Sequence, residues 1–329
     1  MSNITINHEK NVKLTSFGKA VLLDRYLIEN ESYQDLFIRI ASYYSDNKEH
    51  AQRLYDYISN LWFMPSTPIL SNGGTNRGLP ISCFLNETED SLQGIVDLWN
   101  ENVWLAARGG GIGSIGEIYV QLAKVQGSLR RGSSAVYLPV SHPEIEEFLD
   151  IRKPTGGDPN RKALNIHHAV IVNDEFMQAV ERDLEWDLIS PHSNKVISTV
   201  KARYDHLNKP RTAVCCLSSV NLEYYEEWKD SEFFIEDIMR FLDNVFEDFI
   251  NKAPNEIQRA KYSAMRERSI GLGVMGFHSF LQSKMVPFES VTAQQWNKRI
   301  FKHLREQADI VLKKLAEEKG ACLDAKKSI

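Results

Sequence analysis

Between Trp62 and Ser91 the chain carries Pro65, Pro68 and Pro80 together with Gly73, Gly74 and Gly78. No helix runs through such a stretch. A helix must stop near Pro65, a glycine-rich turn follows, and a short apolar run containing Cys83 comes next. Glycine and proline at this density mark a backbone held in specific non-helical geometry, often close to a ligand. A second apolar run, Thr-Ala-Val-Cys-Cys-Leu-Ser-Ser-Val-Asn-Leu at 212–222, has strand character. Cys83 and Cys215 therefore lie in strand-like runs far apart in sequence. If those strands are neighbours, the two thiols can form a redox pair.

Composition narrows the class. A length of 329 residues suits one large or two ordinary domains. A net charge of −5 argues against a nucleic-acid scaffold, which is usually basic. No run of about 18 apolar residues exists, so no membrane span is expected, and the first ten residues lack the apolar core of a signal peptide. Four cysteines in a chain this long do not make a disulfide framework. The expectation is a cytoplasmic, reducing compartment, where a disulfide is catalytic rather than structural. Metal binding is not expected, because no Cys-x-x-Cys is present and His167 and His168 diverge on a strand.

Periodicity predicts two helices over 33–63. Their buried faces are Tyr33, Leu36, Phe37, Ile40 and Tyr44, then Ala51, Leu54, Tyr55, Ile58, Leu61 and Trp62. Ile81–Leu85 reads as the first core strand. Asp90 or Ser91 caps the next helix, with Leu92, Ile95, Val96, Trp99 and Val103 inward and a close at Gly109–Gly111. Strands follow at 135–140, 169–172, 186–189 and 213–222. Ser141 and Asp174 are read as caps of the intervening helices. The last third is helical, with Ile235, Ile238, Met239, Leu242, Val245, Phe246 and Phe249 on one face and a long amphipathic helix over 292–319. Strands alternating with helices indicate an α/β sheet or barrel.

Taken singly, Cys83 reads as a small buried hydrophobe, and Gly109–Gly113 as a helix cap without the Lys-Ser/Thr of a P-loop. Together, Ser82-Cys83, Cys215, Arg-Gly-Gly-Gly-Ile-Gly at 108–113 and Gln-Gly-Ser-Leu-Arg-Arg-Gly at 126–132 resemble the large, catalytic subunit of class I ribonucleotide reductases. The resemblance continues through Ser-His-Pro-Glu-Ile-Glu-Glu-Phe-Leu at 141–149 and Arg-Ser-Ile-Gly-Leu-Gly-Val-Met-Gly-Phe-His at 268–278. It implies an N-terminal helical domain (1–64) followed by part of a ten-stranded α/β barrel with a helical C-terminal third (65–329). It implies reduction of ribonucleoside diphosphates to deoxyribonucleoside diphosphates for DNA synthesis. Cys83 and Cys215 would be the two-thiol reductant, and Thr67, Ser82 and Gly111 the substrate contacts. Asp90, Ser91 and Leu92 would meet a deoxynucleotide or ATP effector, together with Arg130 and Arg131. Composition leaves that arginine pair equally open to phosphate contact or plain solvation. Gly156–His168 would carry the effector signal. The implied partners are a small subunit supplying the radical, thioredoxin or glutaredoxin as reductant, and a second copy in a homodimer, with no cofactor bound directly.

The chain also departs from the family. The Asn-x-Cys-x-Glu loop, whose thiyl radical opens the reaction, does not occur where Val200–Arg203 runs directly on to Thr212. A second shortening follows Ser114. The sequence stops at Ile329, ahead of the family's phosphate loop and radical-transfer tyrosines, and no N-terminal ATP-cone is recognisable. These gaps predict a chain incomplete for catalysis by itself. The alternative reading is a non-catalytic remnant that binds nucleotides or pairs with subunits. A third, a plain dithiol oxidoreductase, lacks any sequence feature that would depress a thiol pKa.

Overall fold

A computed structural model describes residues 4–87, 92–115, 133–142, 145–152, 167–182 and 211–325. After a 3-10 turn come α1 (Ser16–Arg25), α2 (Tyr33–Tyr43) and α3 (Lys48–Ser59). Helix α2 starts on a capping box: the Ser32 hydroxyl accepts from the Asp35 N–H while the Asp35 carboxylate accepts from the Ser32 N–H. Of the inward positions expected of both helices, Leu36, Phe37, Ile40, Tyr44, Ala51, Leu54, Tyr55 and Ile58 are buried, whereas Tyr33, Leu61 and Trp62 are half-buried.

Helix α3 ends at Ser59, not at Pro65. Leu61 takes φ +63°, its N–H bonds Ile58 O, and the Trp62 N–H returns to Tyr57 O. This is a Schellman closure with leucine in the slot usually held by glycine. The chain is thus already extended at β1 (Phe63–Pro65), which precedes α4 (Thr67–Asn72).

Next come β2 (Cys83–Glu87), α5 (Leu92–Ala107), β3 (Gly111–Ile115), β4 (Ser133–Pro139), α6 (Ile145–Leu149), β5 (His167–Ile171) and α7 (Asp174–Glu181). The first core strand therefore lies two residues later than expected. Ser141 sits in the turn ahead of α6 rather than at its cap. Asn173, not Asp174, caps α7 by accepting from the Phe176 N–H. The run 213–222 is two strands, β6 (Ala213–Val214) and β7 (Cys216–Asn221), in different sheets. The helical third comprises α8 (Tyr225–Trp228), α9 (Phe234–Lys252), α10 (Gln258–Glu267), α11 (Phe277–Ser283) and α12 (Val291–Lys319), with β8 (Ile270–Met275) between α10 and α11. The strand expected at 186–189 lies outside the described residues.

Packing divides the chain into two units. The first comprises Met1–Ile81, Cys215–Ala253 and Ala264–Ile329. Its sheet has the order β1-β7-β8, β7 antiparallel to β1 and parallel to β8. Helix α9 is the spine, burying Ile238, Phe241, Leu242, Val245, Phe246 and Phe249. Phe241 meets the rings of Tyr44 and Phe63 edge-on. Charged pairs Lys314–Glu236, Arg240–Glu318 and Lys319–Asp243 line the α9–α12 seam.

The second unit comprises Ser82–Val214 and Pro254–Ser263. Its sheet has the order β5-β4-β3-β2-β6, with β2 to β5 mutually parallel and β6 antiparallel to β2. Parallel neighbours need crossovers, and α5 supplies the one between β2 and β3. The buried face of this sheet holds Phe84, Ile112, Val136 and Leu138. The buried side of α5 is Leu98, Glu101, Asn102, Leu105 and Ala106, while Val96 (48% exposed), Trp99 (44%) and Val103 (48%) face outward. The face predicted for this helix is therefore largely the exposed one. The reason is a polar cluster under the sheet that turns Glu101 and Asn102 inward.

Candidate active site

Strand alternation sorts the residues of β2 and β3. Phe84 and Asn86 point into the core, so Cys83 and Leu85 share the opposite face. Cys83 is directly paired with Gly111, and Leu85 with Gly113. That face is open: Leu85 is exposed, and Cys83, Gly111, Gly113 and Ala135 are half-buried. Leu85 leans over Gly113, where a Cβ would meet its Cδ1 at 2.8 Å. The thiol thus stands on an accessible, glycine-floored strip of sheet. The Ser82 carbonyl accepts from the Gly111 N–H at 2.6 Å, which ties the residue before the thiol to the same glycine.

Strand β6 pairs with β2 through Phe84↔Val214 and Leu85↔Ala213. Cys83 is the residue before Phe84, and Cys215 the residue after Val214. Within the first unit, Cys215 is half-buried, and its thiol would lie 3.2 Å from a Cβ placed on Gly271. Such a Cβ would also collide with Leu217. Glycine at 271 therefore leaves room for the sulfur on the Leu217 face of β7. Cys216 points the other way and is 1% exposed, the core position expected from alternation. Neither Cys83 nor Cys215 is in a disulfide.

Thr67 is the first residue of α4, in the first unit, and its hydroxyl shares a 3.1 Å hydrogen bond with Tyr26 at the end of α1. Ser82, Cys83 and Gly111 are brought together in the second unit. Leu92 opens α5. Asp90, Ser91, Arg130 and Arg131 lie outside the described residues, as does most of 156–168. Among the described residues no group of three or more His, Cys, Asp or Glu could hold a metal ion, and no helix is long and apolar enough to cross a membrane.

The second unit also holds a buried polar cluster that the sequence reading did not single out. Asn86 Nδ2 donates to Asn102 Oδ1 (2.8 Å), Asn102 Nδ2 to Ser114 Oγ (3.1 Å), and Ser114 Oγ to Asn86 Oδ1 (2.7 Å). These three bonds close a ring. Glu101, 3% exposed, accepts from Thr212 Oγ1 at 2.7 Å and from Asn86 Nδ2 at 3.2 Å. Arg259 Nη1 stands 3.9 Å from the same carboxylate. Burial pushes the Glu101 carboxyl above its ordinary range, against the opposing pull of Thr212 and Arg259. A signal was present: Glu101 and Asn102 fall between Leu98 and Leu105 at helical spacing, where a buried side is expected to be apolar.

Comparison with known proteins covers both units. The family model described as ribonucleotide reductase, all-alpha domain, matches residues 12–78. The barrel-domain model matches 115–210 and 202–328, two stretches that meet at 202–210. The large subunit of ribonucleoside-diphosphate reductase from Invertebrate iridescent virus 3 is 35% identical, covering 98% of this chain and 70% of that protein. Its alignment runs over 443 positions, more than the 329 residues here, so it closes with long gaps inside this chain. A putative large subunit from Frog virus 3 is 37% identical over 88% of this chain and 63% of its own length. The solved alpha subunit of the Actinobacillus ureae class Id ribonucleotide reductase superposes with TM-score 0.79 at 27% identity, covering 96% of this chain and 70% of that one. The architecture is accordingly an all-α N-terminal domain with part of the barrel domain, in a chain shorter than these relatives.

Proposed function

The chain belongs to the large-subunit family of ribonucleotide reductases, oxidoreductases by descent, and from that premise we propose that Cys83 and Cys215 are the dithiol that reduces the ribose of a ribonucleoside diphosphate. The carrying observation is the Phe84↔Val214 pair. In a ladder of that register, the position that would stand opposite Cys83 is the one numbered 215. Opposed Cα atoms in such ladders are about 4.5–5.5 Å apart, within the span a disulfide bridges. In the reaction the 2′ hydroxyl leaves as water, carbon 2′ gains a hydrogen, and the two thiols give up two electrons and two protons to become one disulfide. Thioredoxin or glutaredoxin restores the thiols. Gly111, paired with Cys83, leaves space for the sugar, and Ser82 and Thr67 hold the diphosphate.

The initiating radical needs a further thiol. Cys216 is buried on the wrong face and Cys322 lies beyond α12. We infer that the radical, generated by a small subunit, reaches the substrate through a thiol that these four cysteines do not provide. The outward Val96, Trp99 and Val103 of α5 form the pairing surface of a homodimer, and Asp90, Ser91, Leu92, Arg130 and Arg131 are assigned to effector binding from the family motifs. Residues 1–64 act as the helical domain and 65–329 as the barrel portion, and the protein works in the cytoplasm.

The test is disulfide mapping followed by turnover. Mild oxidation should join Cys83 to Cys215, and C83S or C215S should abolish that bridge. A bridge formed instead by Cys216 or Cys322 would sink the reading. With a related small subunit, a thiol reductant and a ribonucleoside diphosphate, the chain alone should give no deoxynucleotide. Turnover that survives C216S and C322S would show that the radical arrives by another route.

A further inference from the structure

Strand β6 is two residues long, and its ladder to β2 contains only two residue pairs. So short a ladder positions Cys215 poorly by itself. Further ties reach it from the residue just before. The Thr212 N–H bonds Arg259 O at 3.5 Å, and the Thr212 hydroxyl donates to Glu101 at 2.7 Å. The same Glu101 oxygen accepts from Asn86, on the strand that begins with Cys83. Asn86 is fixed in turn by the ring with Asn102 and Ser114. One buried carboxylate therefore ties the residue that leads into β6 to β2, the strand that begins with Cys83, from the buried face of the sheet.

We propose that Glu101 is a positioning residue for the dithiol: by accepting from Thr212 and Asn86 together, it sets β6 against β2 and so sets how readily Cys83 and Cys215 close to a disulfide. This rests on the reading of those cysteines as the reductant pair. Glu101 touches neither sulfur nor substrate. Its effect is geometric, because the alignment of two sulfurs governs the ease of S–S closure.

The full chain is equilibrated in buffers of reduced and oxidised dithiothreitol, quenched in acid, alkylated, and the 83–215 bridge quantified by mass spectrometry. E101A should shift the exchange constant toward the dithiol by about tenfold, the size of one lost buried hydrogen bond. T212V, which keeps the shape and removes the hydroxyl, should do nearly the same. E101Q, whose amide oxygen still accepts from Thr212 and Asn86, should stay within about threefold of the parent, and E101A/T212V should add little to either single change. A role confined to overall stability would lower the melting temperature without moving the exchange constant. Unchanged exchange in folded T212V and E101A overturns the proposal; where E101A does not fold, T212V against E101Q decides. If the parent forms no 83–215 bridge, the dithiol reading has failed, and hydrogen exchange of the 211–216 peptide judges the clamp separately. Faster exchange in T212V and not in E101Q supports the clamp, and equal exchange in both removes it.

Discussion

The two units solve the interior differently. Around α9 the first unit is closed by aromatic and aliphatic side chains: Phe63, Phe241, Phe246 and Phe249 are fully buried, and ion pairs line the α9–α12 seam. Its best-buried charge, Asp237, is held by Arg53 through Nε and Nη2 and by the Tyr57 hydroxyl. Beneath the second unit's sheet lie Asn86, Glu101, Asn102, Ser114 and Thr212, all buried. An apolar interior supplies stability and tolerates small shifts of packing. A ring of buried hydrogen bonds contributes less net energy, but it is satisfied in one register only. The lesson is one of placement: the register-defining interior lies under the strand that carries Cys83.

The largest expected effect tests the apolar side. Phe241→Ala removes a ring that packs edge-on against Tyr44 and Phe63 and should cost about 3–5 kcal/mol in denaturant unfolding. Asp237→Asn should cost about 2–3 kcal/mol, a partial loss because Arg53 is a third exposed and can rehydrate. On the polar side, Ser114→Ala leaves Asn86 and Asn102 each short of a partner and should cost about 1–2 kcal/mol. A Ser114→Ala loss as large as that of Phe241→Ala would erase the distinction between the two interiors.

The smallest effect is in pH, and the two units should slope in opposite directions. Burial depresses His50 below its ordinary 6.5, against the opposing pull of Asp237, whose backbone oxygen one ring nitrogen meets. The unfolded chain then takes up a proton more readily than the folded one, so His50 contributes stability above about pH 6.5 that is lost as pH falls. Glu101 is raised above 4.5, so its contribution is present below that value and is lost as pH rises through the folded pKa. His50→Gln should flatten the acid side of a stability-versus-pH curve. Glu101→Gln should remove the decline above pH 4.5. Matching slopes in the two variants would contradict the contrast.

Much of this was legible in the residues. Helices α2, α3, α9 and α12 follow from periodicity, because each has one clear apolar face against a polar remainder. Cys216 as a core residue and Cys83 beside Gly111 follow from the family motifs and the two-residue period of strands. Other features were not legible. Leucine closes α3 in a conformation usually left to glycine, so the proline at 65 was credited with a stop that had already occurred. Helix α5 carries apolar residues on both its buried and its exposed side, and hydrophobicity alone could not say which side packs.

What the sequence by itself determined is the set of elements and their chemistry: where chain directions change, which runs are strands, and which side chains bring sulfur. Local backbone preference and periodic burial act over a few residues, so they survive in a one-dimensional reading. Only the tertiary structure decided that 213–222 is divided at Cys215 between two sheets, and that Glu101 and Asn102, rather than Trp99 and Val103, face inward. Both outcomes rest on hydrogen bonds between groups far apart in the chain, Glu101 with Thr212 and Asn86 with Ser114. A buried polar group must find its partner wherever the fold brings one, and no local pattern encodes that meeting.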